Sequence, residues 1–306
     1  MRLGLFLPTI EGLHGPRWLP RWAELREIGR LAEQAGFDTL FVPDHLLLRA
    51  SPYWGFLEGE SRGTWEAWTL LAALAEATST IELGPYVSAS SFRQPALLAK
   101  MAATLDEVSG GRLILGLGSG SHRSEYTAFG FAWDHLASRF EEALQVLVPL
   151  LREGRVDFEG RFYQARDCEL VPRGPRPGGP PIWVAAFGPR LMRLAARWAD
   201  AFNTSWHMDP RALAAPFDAL DGACREVGRD PGSLQRTIGT FVALDPSEAV
   251  GRPAREGLRG APEQIAQRLR DLETAGASHV TCLLVPPTAR GIEAFAPVIE
   301  LLGRAR

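Results

Sequence analysis

Eight apolar runs of strand length recur along the 306-residue chain, and each is followed by a stretch with apolar residues at helical spacing. "RLGLFLP" (2–8) leads into Trp22, Leu25, Ile28, Leu31 and Ala35 at intervals of three and four, and "FDTLFVPDH" (37–45) leads into a helical pattern over 64–79. "TIELGPYVSAS" (80–90) precedes "QPALLAKMAATLDEVSGG" (94–111), a helix with proline in its first turn and glycine past its end. "RLILGLGSG" (112–120) supplies a fourth strand, ahead of a helix from about Asp134 to Arg152. "PIWVAAFG" (181–188), "DAFNT" (200–204), "RTIGTFVAL" (236–244) and "SHVTCLLVP" (278–286) continue the alternation, with helices through Trp198, within 210–228, within 261–275 and at the C-terminal end. Strands that are apolar at successive residues are buried on both faces, which is the signature of parallel sheets covered by helices. Eight such units close most commonly into an α/β fold of the (β/α)8 TIM barrel type, with an open doubly wound sheet as the rival. The interval 154–181 breaks the rhythm with a hairpin pattern around Glu159 and Gly160 and the segment "PRGPRPGGPP". It reads as an insertion between strands four and five of a single domain spanning 1–306.

Composition narrows the partners. A formal net charge of -3 supplies no basic surface for nucleic acid, and 46% hydrophobic residues with 23% charged ones describe a globular chain with no membrane-spanning run. Cys168, Cys224 and Cys282 are odd in number and far apart, which fits a reducing compartment and speaks against a disulfide framework or a cysteine metal site. The apolar stretch "LGLFLP" is short, lacks a charged leader and contains Pro8, so it is not a secretion signal and the expected location is cytoplasmic. No close metal-ligand spacing recurs, so no metal is expected.

Gly116, Gly118 and Gly120 suggest a dinucleotide-binding fingerprint, but that motif requires a further glycine where Ser121 stands. In a barrel, active sites gather at the C-terminal ends of the strands. There the sequence carries Pro43, Asp44 and His45 after strand two, "VSASSFRQP" (87–95) after strand three, the glycine loop after strand four and "AAFGPRL" (185–191) after strand five. In these four segments, and through most of residues 1 to 205, the chain resembles the luciferase-like family of flavin- and deazaflavin-dependent oxidoreductases.

The resemblance implies a luciferase-like oxidoreductase that transfers hydride between a reduced deazaflavin coenzyme of the F-420 type and a small organic substrate. The alternative within the family is an FMN-dependent monooxygenase that uses oxygen and receives reduced FMN from a partner flavin reductase. The family also implies a homodimer. Its pattern places the ring against Tyr86, Val87 and Ser88, with a non-proline cis peptide joining Tyr86 to Val87, and against Gly116, Gly118, Ser119 and Gly120, whose missing side chains let the backbone approach. It places the cofactor phosphate at Ala186, Phe187, Gly188, Pro189 and Arg190, where a helix N-terminus offers free N–H groups. His45 stands where the family has a histidine beside the ring. As a residue type that gives and regains a proton around neutral pH, it suits a proton donor, with Asp44 or a neighbouring carboxylate holding its tautomer.

Several residues carry open readings. Arg93 is either a structural ion-pair partner or a rim cation. His122, Arg123 and Glu125 read as solvated loop charge, with Glu125 and Tyr126 the next candidate donors should His45 not serve. Tyr53, Trp54 and Phe56 follow strand two as an apolar group able to cover a hydrophobic or aromatic substrate. Relatives that oxidise sugar phosphates carry glutamate and tryptophan at the positions held here by Ser121 and Arg49, which speaks against that substrate. Two other classes remain: a barrel isomerase, lyase or aldolase acting on a phosphorylated metabolite, and a cofactor-binding protein without turnover.

Overall fold

The computed structural model describes residues 1–15, 17–49, 60–248 and 256–303. The barrel strands are β1 (Arg2–Phe6), β2 (Thr39–Val42), β3 (Glu82–Pro85, continued by Ser88–Ala89), β4 (Leu115–Gly118), β5 (Ile182–Ala185), β6 (Ala201–Thr204), β7 (Gln235–Ala243) and β8 (His279–Val285). Around them run helices α1 (Trp22–Ala35), α2 (Ala67–Ala77), α3 (Pro95–Val108), α4 (Arg123–Phe129), α5 (Leu136–Glu153), α6 (Gly188–Trp198), α7 (Ala214–Glu226), α8 (Pro262–Thr274) and α9 (Ala289–Leu301).

Every barrel pairing is parallel, and the two ends of the sheet are the two pieces of one strand. Glu82–Pro85 pairs with β2, while Ser88–Ala89 pairs with β4. Between the pieces the Tyr86–Val87 peptide is cis. Leu83 also bonds across to the residues leading into β4, its N–H to the Arg112 carbonyl at 3.0 Å and its carbonyl to the Ile114 N–H at 2.8 Å. An open doubly wound sheet would leave two unrelated edge strands, so the ring of pairings decides for the barrel.

That closure gives the glycines another use than the sequence suggested. A Cβ at Gly84 would lie 2.1 Å from the Ile114 carbonyl oxygen, and one at Gly116 would lie 2.2 Å from that of Pro85. A Cβ at Gly118 would meet the Val87 side chain at 2.8 Å. Gly116 is therefore set by the approach of β3 to β4, and both obstacles at the closest contacts are backbone. Gly116→Ala is expected to destabilise the fold by roughly 2 kcal/mol, the usual cost of overpacking, read as a lowered thermal midpoint. An unchanged midpoint would refute this account of the glycine.

Inside the ring, Phe6, Phe41, Tyr86, Trp183, Trp206 and Phe241 form one buried cluster, with Trp206 stacked on Phe241 at 4.5 Å between centroids. The expected hairpin is present as Arg155–Glu159 paired with Gln164–Glu169. It is tied to α5 by Glu142, whose carboxylate accepts the N–H groups of Arg161, Phe162 and Tyr163 at 2.9, 2.8 and 3.0 Å. Elements that the sequence did not announce include two beside the end of β2. Leu47–Arg49 pairs antiparallel with Ser61–Gly63 after β2, and α4 occupies the segment read as a charged loop.

Candidate active site

A cavity of about 390 Å³ opens at the C-terminal ends of the strands. Phe6, Val87 and Trp206 give it apolar walls, the backbone of Gly118, Ser119 and Gly120 forms one side, and Phe187 and Leu191 stand at the start of α6. His45 reaches it from the end of β2.

His45 is held by Glu125. Its Nδ1 lies 3.1 Å from Glu125 Oε1, and the other carboxylate oxygen accepts the Leu46 N–H at 2.9 Å. Glu125 sits in the first turn of α4 and is only 1% exposed. A carboxylate acceptor at Nδ1 fixes the proton on that nitrogen and leaves Nε2 for a ligand. The solvated-loop reading of Glu125 is thus corrected: α4 turns the side chain inward, where His45 and a backbone N–H compensate its burial.

Of the two options for the orienting group, Asp44 or a neighbouring carboxylate, the structure uses the second, and Asp44 is engaged elsewhere. Its oxygens accept from Ser88 Oγ at 2.7 Å and from two nitrogens of Arg93 at 2.6 and 3.2 Å. Arg93 also reaches Glu66 at 2.6 Å, so it is an ion-pair partner and joins the ends of β2 and β3 to the start of α2. Asp44 still borders the cavity, whereas Ser88, expected against the ring, is fully buried and does not line it; both are parts of this clamp.

His122 meets His45 edge to face, with ring centroids 5.0 Å apart. Burial lowers its pKa from the usual 6.5 to about 4, with His45 adding to the effect, so His122 is neutral at physiological pH. The unfolded chain takes up this proton more readily than the folded one. The corresponding stability is fully present above about pH 6.5 and is lost as pH falls towards 4. His122→Asn is expected to flatten the acid side of the thermal stability profile over that window; parallel profiles for variant and wild type would contradict it.

The other expected residues divide. Tyr86, Val87, Gly118, Ser119, Gly120 and Phe187 line the cavity, whereas Gly116 is committed to strand closure and Ala186 is buried beneath the rim. Gly120 has φ +95°, and a Cβ there would fall on the Tyr126 hydroxyl. Tyr126 itself is fully buried, its hydroxyl 2.6 Å from Ser91 Oγ, and burial raises its pKa to about 12, which removes it as a ready proton donor. Gly188 and Pro189 open α6 with no side-chain cap at Phe187. Arg190 pairs with Glu141 at 2.6 Å near the surface. Tyr53, Trp54 and Phe56 lie outside the described residues. Asn203, Ser205 and Trp206 also line the cavity and were not singled out in the sequence. The one signal was for Asn203, an amide following the apolar pair Ala201 and Phe202 in a strand read as buried.

Among the described residues, no helix is long and apolar enough to cross a membrane. The profile of the luciferase-like monooxygenase family matches residues 1–256. The phthiodiolone/phenolphthiodiolone dimycocerosates ketoreductase of Mycobacterium sp. (strain JLS) is 35% identical over 219 residues, covering 67% of this chain and 57% of that protein's length. Pyrimidine monooxygenase RutA of Escherichia coli (strain K12 / DH10B) is 32% identical over 318 residues, covering 95% of this chain and 78% of that protein. The solved structure of an F420-dependent secondary alcohol dehydrogenase in complex with an F420-acetone adduct shares the fold, with a TM-score of 0.81, 20% identity and 98% of each chain covered. The solved structure of a riboflavin lyase with modified FMN and substrate riboflavin also shares the fold, with a TM-score of 0.80, 16% identity and coverage of 100% of this chain and 92% of that one, so proteins holding F420 and FMN are found on one architecture. On the extent of the profile match and of these similarities, the chain belongs to the luciferase-like monooxygenase family and is an oxidoreductase.

Proposed function

We propose that the chain transfers hydride between a reduced deazaflavin and a small apolar carbonyl or unsaturated substrate, with His45 handling the proton. The observation that carries this reading is the His45–Glu125 pair at the wall of the largely apolar cavity. The residues fit such a cofactor. About 390 Å³ lies in the range of small-molecule sites, the walls are apolar, and α6 opens beside Phe187 with backbone N–H groups no side chain caps. Gly188 and Arg190 would take the phosphate side, Val87 and the glycine loop the ring.

When bound, the cofactor supplies a hydride donor or acceptor. The chain supplies the rest. The apolar walls exclude water from the reacting centre, and Glu125 keeps Nδ1 of His45 protonated so that Nε2 faces the ligand. As a donor the ring acts in its imidazolium form, protonated on both nitrogens: the Nε2 proton passes, over about 3 Å, to the negative charge that develops on a reduced carbonyl or enone and leaves the neutral Nδ1–H ring. In the reverse direction, Nε2 takes the proton from an alcohol.

The similarity to pyrimidine monooxygenase RutA keeps an FMN-dependent monooxygenase as the second reading. Titration of the protein with each cofactor, followed by turnover against carbonyls, enones and aromatic acceptors, separates the two. Tighter deazaflavin binding and turnover without oxygen uptake are expected. Tight FMN binding with oxygen-dependent turnover, and no affinity for the deazaflavin, would overturn the proposal. Binding without any turnover would leave only a cofactor carrier. An isomerase or aldolase reading does not account for the family membership.

A further inference from the structure

Asn203 is a polar side chain that the proposed reaction leaves without a task. It stands in β6, is 2% exposed and lines the cavity. A short chain of hydrogen bonds fixes its orientation. Thr237 Oγ1 has one hydrogen, which goes to the Phe202 carbonyl at 3.1 Å, so this hydroxyl must accept from Asn203, whose Nδ2 lies 2.9 Å away. The other amide hydrogen goes to the Tyr86 hydroxyl at 2.9 Å. Both donors of the amide are used. Its oxygen, Oδ1, has no partner among the described residues and is the atom left for the cavity.

A ligand that covers this amide oxygen must offer it a hydrogen-bond donor, because burying it unpaired is costly. The surroundings favour a neutral donor. Asp44 is committed to Arg93 and Ser88, and Glu125 to His45 and the Leu46 N–H, so neither carboxylate is available to balance an ammonium group. Phe6 and Trp206, packed at 5.2 Å between centroids, flank the same space with apolar ring surface and suit a flat ligand.

We propose that Asn203 determines ligand specificity, its Oδ1 accepting a hydrogen bond from the neutral imide N–H that lies between the two ring carbonyls of flavins and deazaflavins alike. This rests on the reading of the cavity as a ring site. The site thereby selects a ring that presents this donor and rejects one that lacks it.

Fluorescence titration of the purified protein with FMN, 5-deaza-FMN and their 3-methyl derivatives tests the assignment, since methylation removes the imide hydrogen. Wild type is expected to bind the unmethylated rings about tenfold more tightly, the effect of one buried unpaired group. Asn203→Leu keeps nearly the same volume without the acceptor. It should bind the unmethylated rings about tenfold more weakly than wild type and lose the preference, because the ring donor then has no partner. Asn203→Asp retains an acceptor and should retain the preference. It also serves, with the wild-type ratio, if circular dichroism shows that the leucine variant fails to fold. Equal affinity of wild type for methylated and unmethylated rings would overturn the role of Asn203 while leaving the ring site intact, as would an undiminished preference in folded Asn203→Leu. Failure of wild type to bind any of the four rings would remove the proposed function itself, and this inference with it.

Discussion

Replacing His45 by alanine is expected to lower turnover about a hundredfold or more while leaving the fold and most cofactor affinity in place, the usual yield of a positioned acid. The expectation follows from the division of labour in the cavity. His45 has one nitrogen committed to Glu125 and the other left for a ligand, whereas two nearby ionisable groups, His122 and Tyr126, are unsuited to replace it. His122 is held neutral by burial, with a pKa of about 4, and the Tyr126 hydroxyl is buried against Ser91 with a pKa of about 12. Steady-state kinetics with a fixed concentration of reduced cofactor measures the loss, and a separate titration checks that binding survives. His122→Asn in the same assay should change turnover only severalfold. Wild-type turnover by a cofactor-binding His45→Ala variant would make the histidine structural and move the search for a donor to Glu125.

Asp44→Ala is expected to cost about 3 kcal/mol or more of stability, because removing one member of a buried ion pair leaves the other charge uncompensated. The Asp44 side chain is fully buried and that of Arg93 nearly so. Desolvation works against the Arg93 charge and the two carboxylates, Asp44 foremost, outweigh it, so its pKa stays above the usual arginine value. Glu66 still reaches Arg93 in the variant, which keeps the cost towards the lower end of the range for such pairs. Chemical denaturation, or a fall of several degrees in the thermal midpoint, reads the effect. At a temperature where the variant remains folded, its turnover should exceed that of His45→Ala. A midpoint equal to wild type would show that Arg93 is satisfied without Asp44, and a turnover as low as that of His45→Ala would return Asp44 to the chemistry.

The barrel was legible because burial of a strand on both faces leaves a mark in every residue of the strand. "LGLFLP" and "CLLVP" (282–286) are apolar at successive positions whether or not their neighbours are known, and the structure pairs the strands that contain them as β1 and β8. The same logic put His45 at a strand end, and the family pattern located the cis bond after Tyr86, which the structure shows. The glycines of strand four were visible too, but not their reason. Only the ring of pairings shows that a side chain at Gly116 would strike the Pro85 carbonyl, and only α4 shows that one at Gly120 would strike Tyr126.

Partnership among the polar residues was decided by the tertiary structure alone. Asp44 and His45 are neighbours in the chain, yet one carboxylate 80 residues further on holds the histidine, and a guanidinium 49 residues on takes the aspartate. Helix α4, seven residues long, is too short for its period to announce that Glu125 points inward. Asn203 likewise looks like any strand residue until Thr237 and Tyr86 claim its amide hydrogens. Apolar periodicity is a local property, repeated residue by residue along each element, and so the sequence by itself determined the architecture. A charge or amide has its partner chosen by which strand ends the closure of the barrel brings within 3 Å, and that distance exists only in the folded chain.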